Sequence, residues 1–244
     1  MAESNVGEQA ISKLAEEGIR AQLDKVEALS VDIKTDPIKL TQGQVDSVLV
    51  EGKGLVIQND LRTEKLIFET DAVDIAMLKL PLGEIELEQP TNAKAKVMLT
   101  PEDIQTAFNA GYVKQKLRGQ KIELPSGERV TTDASNVLFT IPKAGRVKVS
   151  ADVMLIEKVE THHIELSARP ELVNDGFGVA LKEVEFDEES NDMPELTQAL
   201  IDNTQTLLDL RFFELDGMDL QFERIIVEPE QIVIEASAKV TSFD

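Results

Sequence analysis

Few residues in this chain of 244 have side chains suited to catalysis. Its two histidines, His162 and His163, are adjacent, and adjacent side chains on a strand point to opposite faces, so the pair does not easily bind one metal ion. Cysteine is absent, which removes thiolate chemistry, disulfides and Cys-ligated metal. No nucleophile elbow supports the histidines. We therefore predict a protein that is not an enzyme, with no catalytic residues, no metal and no cofactor.

Two further patterns resemble known binding loops without completing them. Gly52-Lys53-Gly54 lacks the third glycine and the following helix of a dinucleotide loop, so a bend or bulge in a strand is the better interpretation. An acidic stretch lacks the glycine and the spacing of an EF-hand loop, which favours a solvated loop over a weak Ca²⁺ site. Its acids are Asp187, Glu188, Glu189 and Asp192.

A basic segment is the one charge feature that departs from the rest of the chain. Its six bases are Lys94, Lys96, Lys114, Lys116, Arg118 and Lys121. Between positions 94 and 121 they meet only Glu102 and Asp103, a local balance of six minus two, or +4, in a chain of formal charge −21. That overall charge argues against nucleic acid as a partner. The segment is a candidate for contact with anionic headgroups or a bilayer; a solvated face is the alternative.

Along the sequence, three predicted helices alternate with groups of predicted strands, and these elements must position the residues named above. Apolar residues three and four apart predict a helix from Val6 to Leu29. Thr100-Pro101-Glu102-Asp103 is a strong helix start, with the helix ending near Gly119, and a later helix begins near Pro194. Period-two stretches predict strands between the helices. The pattern predicts the α+β class: a long, curved antiparallel β-sheet with amphipathic helices on its concave side, in a single domain over residues 1–244.

The composition predicts where the protein resides. Hydrophobic residues make up 42% of the chain, without Trp and with a single Tyr, so the core must be mostly aliphatic. The start of the sequence is acidic and polar, unlike a signal peptide, and the longest apolar run, residues 153–156, is far shorter than a membrane span. We expect a soluble, cytoplasmic protein that contacts membranes peripherally.

Several motifs, in their order and spacing, resemble the LmeA-like phospholipid-binding family, in particular its cyanobacterial members. They are Gly43 with Val45-Asp46-Ser47, Gly52 with Gly54-Leu55-Val56, Leu61-Arg62 with Glu64, Phe68-Glu69-Thr70-Asp71, Gly83 with Gln89-Pro90-Thr91, Leu99 to Ile104, Phe108-Asn109-Ala110, and Leu210 to Met218. Gln105 departs from the asparagine expected there. The resemblance implies a tubular lipid-binding (BPI-like) architecture, in which a curled sheet wraps helices around an apolar groove. It also implies phospholipid binding rather than catalysis.

A lipid-binding groove needs adjacent apolar side chains with no polar atom to desolvate. The candidates are Val97, Ile104, Phe108, Tyr112, Val153, Leu155, Leu200, Leu207 and Phe212, with an ordinary core as the alternative for each. Our leading hypothesis is non-enzymatic binding of phospholipid or a similar amphiphile, with transient membrane contact through the basic segment. The alternative is an intracellular adaptor or assembly protein of the same fold without lipid, and an enzyme acting on a lipid comes third. The sequence does not identify a protein partner.

Overall fold

A computed structural model describes residues 2–57, 60–76, 87–111, 114, 118–186, 193–207 and 217–242, with backbone alone at 2–6, 37 and 203–207. The helices are α1 (Ala2–Ala21), α2 (Pro37–Thr41), α3 (Pro101–Asn109) and α4 (Pro194–Leu207), with a 3₁₀ turn at Asn174–Gly176. The strands are β1 (Ala28–Lys34), β2 (Gln44–Val45), β3 (Ser47–Ile57), β4 (Leu61–Thr70), β5 (Val73–Asp74), β6 (Thr91–Leu99), β7 (Gln120–Glu123), β8 (Arg129–Lys143), β9 (Arg146–Leu155), β10 (Glu160–Val173), β11 (Gly178–Glu185), β12 (Met218–Glu228) and β13 (Gln231–Val240).

The described strands form two main antiparallel sheets. Sheet I has the order β1-β3-β4-β6-β13-β12, sheet II has the order β11-β10-β9-β8-β7, and β2 pairs with β5. The α+β class and the mostly antiparallel, curled sheet are confirmed, and in the described residues the strands predicted as one long curved sheet are divided between these sheets. At the β12 edge the Gly145 N–H, in the turn between β8 and β9, donates to the Val227 carbonyl at 2.8 Å. Gln221 also donates to the Asp175 carbonyl, at 2.6 Å, so this edge bonds to a turn and a 3₁₀ helix.

Helix α1 covers the opposite edge of sheet I. The outward N–H groups of Ile33 and Thr35 donate to Ser12 Oγ at 3.0 Å and to Glu8 Oε1 at 3.2 Å, so the edge of β1 is satisfied by the helix. The helix ends at Ala21, not at Leu29 as predicted. Residues 24 and 25 instead pair their backbone with Val56 of β3, which draws the chain into the sheet.

Helix α3 connects the two sheets. Thr100 and Asp103 form the predicted start as a reciprocal capping box. On the far side of the helix, Asn109 Nδ2 donates to the Val137 carbonyl of β8 at 2.7 Å. Helix α3 ends at Asn109, where Ala110 is extended (φ −67°, ψ 146°), but residues 111 and 114 are again helical and the Arg118 N–H donates to the Lys114 carbonyl, so helical structure recurs before the predicted end near Gly119. Asn and Gly are poor helix formers, and both flank this position.

Helix α4 covers the inner face of sheet II. Leu196 and Ala199 pack with Val130, Val153 and Leu155, while Ile201 packs with Leu166 and Ala168. Leu196 and Leu155 are wholly buried. Each sheet therefore has its own helix, and α3 lies where the two cores meet.

Candidate functional site

One face of sheet I carries an apolar strip that crosses four strands in register. Its rows run Leu66–Val97–Ile234–Ile225 and Phe68–Ala95–Ala236–Phe222, since directly paired residues share a face. A bulge between Phe222 and Arg224 keeps both β12 residues on that face. All eight are half-buried except Ala236, which is buried. At a strand spacing of about 4.8 Å the strip is about 14 Å wide.

The apolar strip continues into a core at each end. Leu66 and Phe68 pack against the cluster beneath α1, which includes Val31, Val50 and Ala93. Ile225 and Ile234 pack against a cluster that joins the two sheets, formed by Phe139, Ile141, Val147, Val227 and Ile232. Ile104 and Phe108 of α3 lie against this second cluster. The strip thus runs between α1 and α3 as a partly accessible apolar surface.

An ion-pair cluster fixes α3 to sheet I. Arg62 of β4 donates to Asp103 at 2.8 Å, to Glu64 at 2.8 Å and to Glu27 at 3.0 Å. Hydrogen bonds from Asp103 first, then from Glu64 and Glu27, raise the pKa of Arg62, so its guanidinium stays charged. The side chain of Asp103 is 3% exposed and also accepts the Thr100 N–H. The cluster sets the position of Ile104 and the rest of α3.

Gly54 belongs to the same corner. It lies inside β3 with φ +58°, and a Cβ there would stand 2.5 Å from the Glu27 side chain. Gly52-Lys53-Gly54 lies inside β3, which continues through it to Ile57, in agreement with its interpretation as part of a strand. Glycine is required because the backbone is left-handed and Glu27 packs against it.

The predicted groove residues fall into two places. Val97 lies in the apolar strip, and Ile104 and Phe108 lie at its α3 end. Val153, Leu155 and Leu200 lie instead in the core between sheet II and α4, where Val153 is 1% and Leu155 0% exposed. Both side chains are therefore fully covered by their neighbours in this core. Tyr112 and Phe212 lie outside the described residues, as does the side chain of Leu207.

The predicted basic residues also separate into two groups. Lys94 and Lys96 alternate with Ala95 and Val97 and so lie on the polar face of sheet I, opposite the apolar strip. Lys94 lines a cleft of about 540 Å³, and Lys96 pairs with Glu235 at 3.1 Å. The cleft is of mixed character: apolar Ala93, Phe177, Leu220 and Ala238 line it together with the polar or charged Glu69, Thr70, Asp71, Asn92, Lys94, Asp219, Gln221, Ser237 and Lys239.

The second basic group follows α3. Lys114 and Lys121 are exposed, and Arg118 pairs with Asp133 at 3.3 Å, while Lys116 lies outside the described residues. Asp103, one of the two acids counted against the six bases, is bound to Arg62. The net charge of +4 counted along the sequence therefore does not describe the charge around these bases, because residues distant in the sequence pair with them and with Asp103.

The histidines lie on opposite faces of β10, as the strand geometry predicts. His163 Nδ1 lies 2.9 Å from Asp152 Oδ1, whereas His162 pairs across the strand with Val153 on the inner face. The hydrogen bond from Asn136, then that from His163, lowers the pKa of Asp152. The acids of 187–192 lie outside the described residues.

Sequence reasoning identified Val97 but missed the other members of the apolar strip. The period-two alternation was visible in residues 93–99 and 232–238, but which residues lie side by side depends on strand register. The Arg62–Asp103 pair joins residues 41 apart, and nothing in their local sequence links them.

Fold and site together define an antiparallel α+β protein whose distinguishing surface is an apolar strip. Within the described part of the chain, none of the helices has both the length and the apolar composition needed to cross a bilayer. No curated protein matches the sequence significantly. The profile of the LmeA-like phospholipid-binding family matches residues 2–237. The chain belongs to the LmeA-like phospholipid-binding family, as its motifs predict.

Proposed function

We propose that this protein binds phospholipid or a similar amphiphile without chemically altering it, and carries or presents it at a membrane. The observation that carries the proposal is the apolar strip of sheet I, which is half-buried and continuous across four strands. Family membership supports phospholipid as the ligand class. We also propose that the whole chain folds as a single domain with a tubular arrangement, and that the protein is cytoplasmic.

The acyl chains would lie along the apolar strip, bounded by α1 on one side and by Ile104 and Phe108 of α3 on the other. Burying a methylene group is worth about 0.8 kcal/mol, so roughly ten methylenes would contribute about 8 kcal/mol. Association itself costs at least about 4 kcal/mol of lost freedom, so apolar contact would supply part of the binding free energy and a headgroup contact would add to it.

The headgroup would lie near the segment that follows α3, where Lys114, Arg118 and Lys121 are exposed. Their cationic side chains favour an anionic headgroup over a neutral one. Lys94 and Lys96 face the other side of sheet I, so their part would be contact with a bilayer rather than with the bound lipid.

The test is mass spectrometry of the intact chain under native conditions, beside mass spectrometry of an organic extract of the same preparation. We expect a stoichiometric phospholipid that is lost on extraction. Ala95→Trp, which fills the strip, should reduce lipid occupancy severalfold, whereas Glu69→Trp, at an exposed position on the opposite face of sheet I, should not.

A bare mass that stays bare after incubation with mixed phospholipid vesicles would overturn the proposal and favour the adaptor. A hydrolysed lipid would show an enzyme instead. Equal occupancy in the wild type and in Ala95→Trp would place the ligand elsewhere than on the apolar strip.

A further inference from the structure

The hairpin between β9 and β10 exposes apolar side chains at its tip. Ile156 is 42% and Val159 76% exposed, and Met154, two residues before Ile156, is 37% exposed. Exposed aliphatic side chains are ordinary when single, but three within six residues form a local apolar prominence.

The polar side chains of the same turn fold back onto the protein. Glu157 accepts hydrogen bonds from the Thr131 hydroxyl and from the Thr131 N–H, the latter at 2.8 Å. Lys158 donates to Glu128 at 2.9 Å. The turn therefore directs its apolar residues outward and satisfies its charges inward, the reverse of a typical solvated turn.

The backbone of the tip is strained in the conformation that presents Val159. Its φ is +55°, in the left-handed region that β-branched residues rarely adopt. This conformation costs Val on the order of a few kcal/mol more than it costs Asn or Gly. A strained, exposed Val contributes nothing to the core, so packing does not account for it.

Basic side chains stand beside the tip. Lys121 pairs in register with Thr131, whose hydrogen bonds are the main cause of the lowered pKa of Glu157, and the charge of Lys121 lowers that pKa slightly further. Arg118 is bound to Asp133, the cross-strand partner of Met154. In a chain of formal charge −21, this corner combines the apolar tip, two bases, the paired acids Glu157, Glu128 and Asp133, and Glu160, which follows Val159 and is 59% exposed.

We propose that the β9–β10 tip, formed by Met154, Ile156 and Val159, inserts into the interfacial region of a phospholipid bilayer, with Arg118 and Lys121 meeting anionic headgroups. The inference rests on the proposed function, since a lipid carrier must dock on a bilayer to load or deliver. A bilayer fits better than a protein partner because the prominence is small and projecting, and because its flanking bases complement anionic lipid.

The chain has no tryptophan, so a single introduced Trp reports its own surroundings. Ile156→Trp should show a blue-shifted emission and quenching by brominated phosphatidylcholine when mixed with vesicles of phosphatidylcholine and phosphatidylglycerol. Ile38→Trp, at a position that is 72% exposed on α2, is the matched control and should show neither.

A second pair of variants tests the energetic contribution. Ile156→Asn with Val159→Asn should lower the vesicle partition coefficient about tenfold, since two apolar side chains no longer leave water. Leu14→Asn with Ile38→Asn removes two side chains of similar exposure, 68% and 72%, and should leave it unchanged.

Equal Trp responses at positions 156 and 38, equal losses in the two double variants, or no response at position 156 would each overturn the inference. Lipid occupancy measured by native mass spectrometry on the same preparations separates the two proposals. Protein that holds lipid without tip insertion refutes the inference and leaves the proposed function standing.

Discussion

Replacing Arg62 with Met should destabilise the protein more than replacing its buried partner. Arg62→Met leaves the Asp103 carboxylate, 3% exposed, without its guanidinium and with a backbone N–H as its remaining partner in the capping box. Breaking a buried pair in this way costs about 3–5 kcal/mol. Asp103→Asn instead leaves Arg62, which is 30% exposed, with Glu64 and Glu27, and should cost about 1.5–3 kcal/mol.

The double variant identifies the cause. Because Asn carries no charge to bury, Arg62→Met with Asp103→Asn should be about 1–2 kcal/mol more stable than Arg62→Met alone. Lys53→Met is the control: Lys53 pairs with Glu27 and Glu64 at 3.8 and 3.9 Å but is 58% exposed, so its loss should cost less than about 1 kcal/mol.

Urea unfolding followed by circular dichroism measures these differences, and thermal unfolding should show a midpoint lowered by about 6–20 °C for Arg62→Met, at about 2–4 °C per kcal/mol. The reasoning is refuted if the double variant is less stable than Arg62→Met, or if Lys53→Met costs as much. In either case an unpaired buried carboxylate would not be the dominant cost.

Three further results are expected. Gly54→Ala should lower the free energy of unfolding by about 2–4 kcal/mol, because the added methyl group clashes with Glu27 and the left-handed backbone is strained for Ala. Gly127→Ala, which has a positive φ but open space around it, should cost about 1 kcal/mol, and urea unfolding measures both. Asn136→Gly should raise the pKa of Asp152 towards its ordinary value, as measured by NMR titration of the carboxyl group. Because folding lowers this pKa, the ionised Asp152 stabilises the folded protein at pH values above its ordinary pKa. That stabilisation is lost as the pH falls through the pKa of Asp152 in the folded protein. Asn109→Ala should cost about 1–3 kcal/mol and increase hydrogen exchange in β8, because it leaves two backbone groups of that strand without their amide partner; unchanged exchange in β8 would contradict this.

Much of the local structure follows from the sequence. Thr100-Pro101-Glu102-Asp103 specifies a helix start through capping groups that are adjacent in the chain, and α3 begins there with its capping box. Period-two alternation predicts β9 at 147–155, and the strand spans Arg146–Leu155. Both depend on interactions between residues a few positions apart, which the sequence displays directly.

The boundaries that the sequence placed wrongly depend on distant partners. Helix α1 stops at Ala21 because residues 24 and 25 pair with Val56, although the apolar periodicity runs on to Leu29. In the described residues β12 is the last strand of sheet I, and its edge bonds to the turn at Gly145 and to the 3₁₀ helix rather than to a strand of sheet II. Periodicity describes which face of an element is apolar, not what covers it.

For the candidate site, the sequence by itself determined the chemistry: an aliphatic, cysteine-free chain with Val97, Ile104 and Phe108 among its apolar positions and with a family membership that its motifs display. Only the tertiary structure decided that these three lie near one strip, that Val153 and Leu155 fill a separate core, and that Lys96 is bound to Glu235. The physical reason is that side-chain type is local, whereas burial, strand register and ion pairing are set by residues tens of positions away.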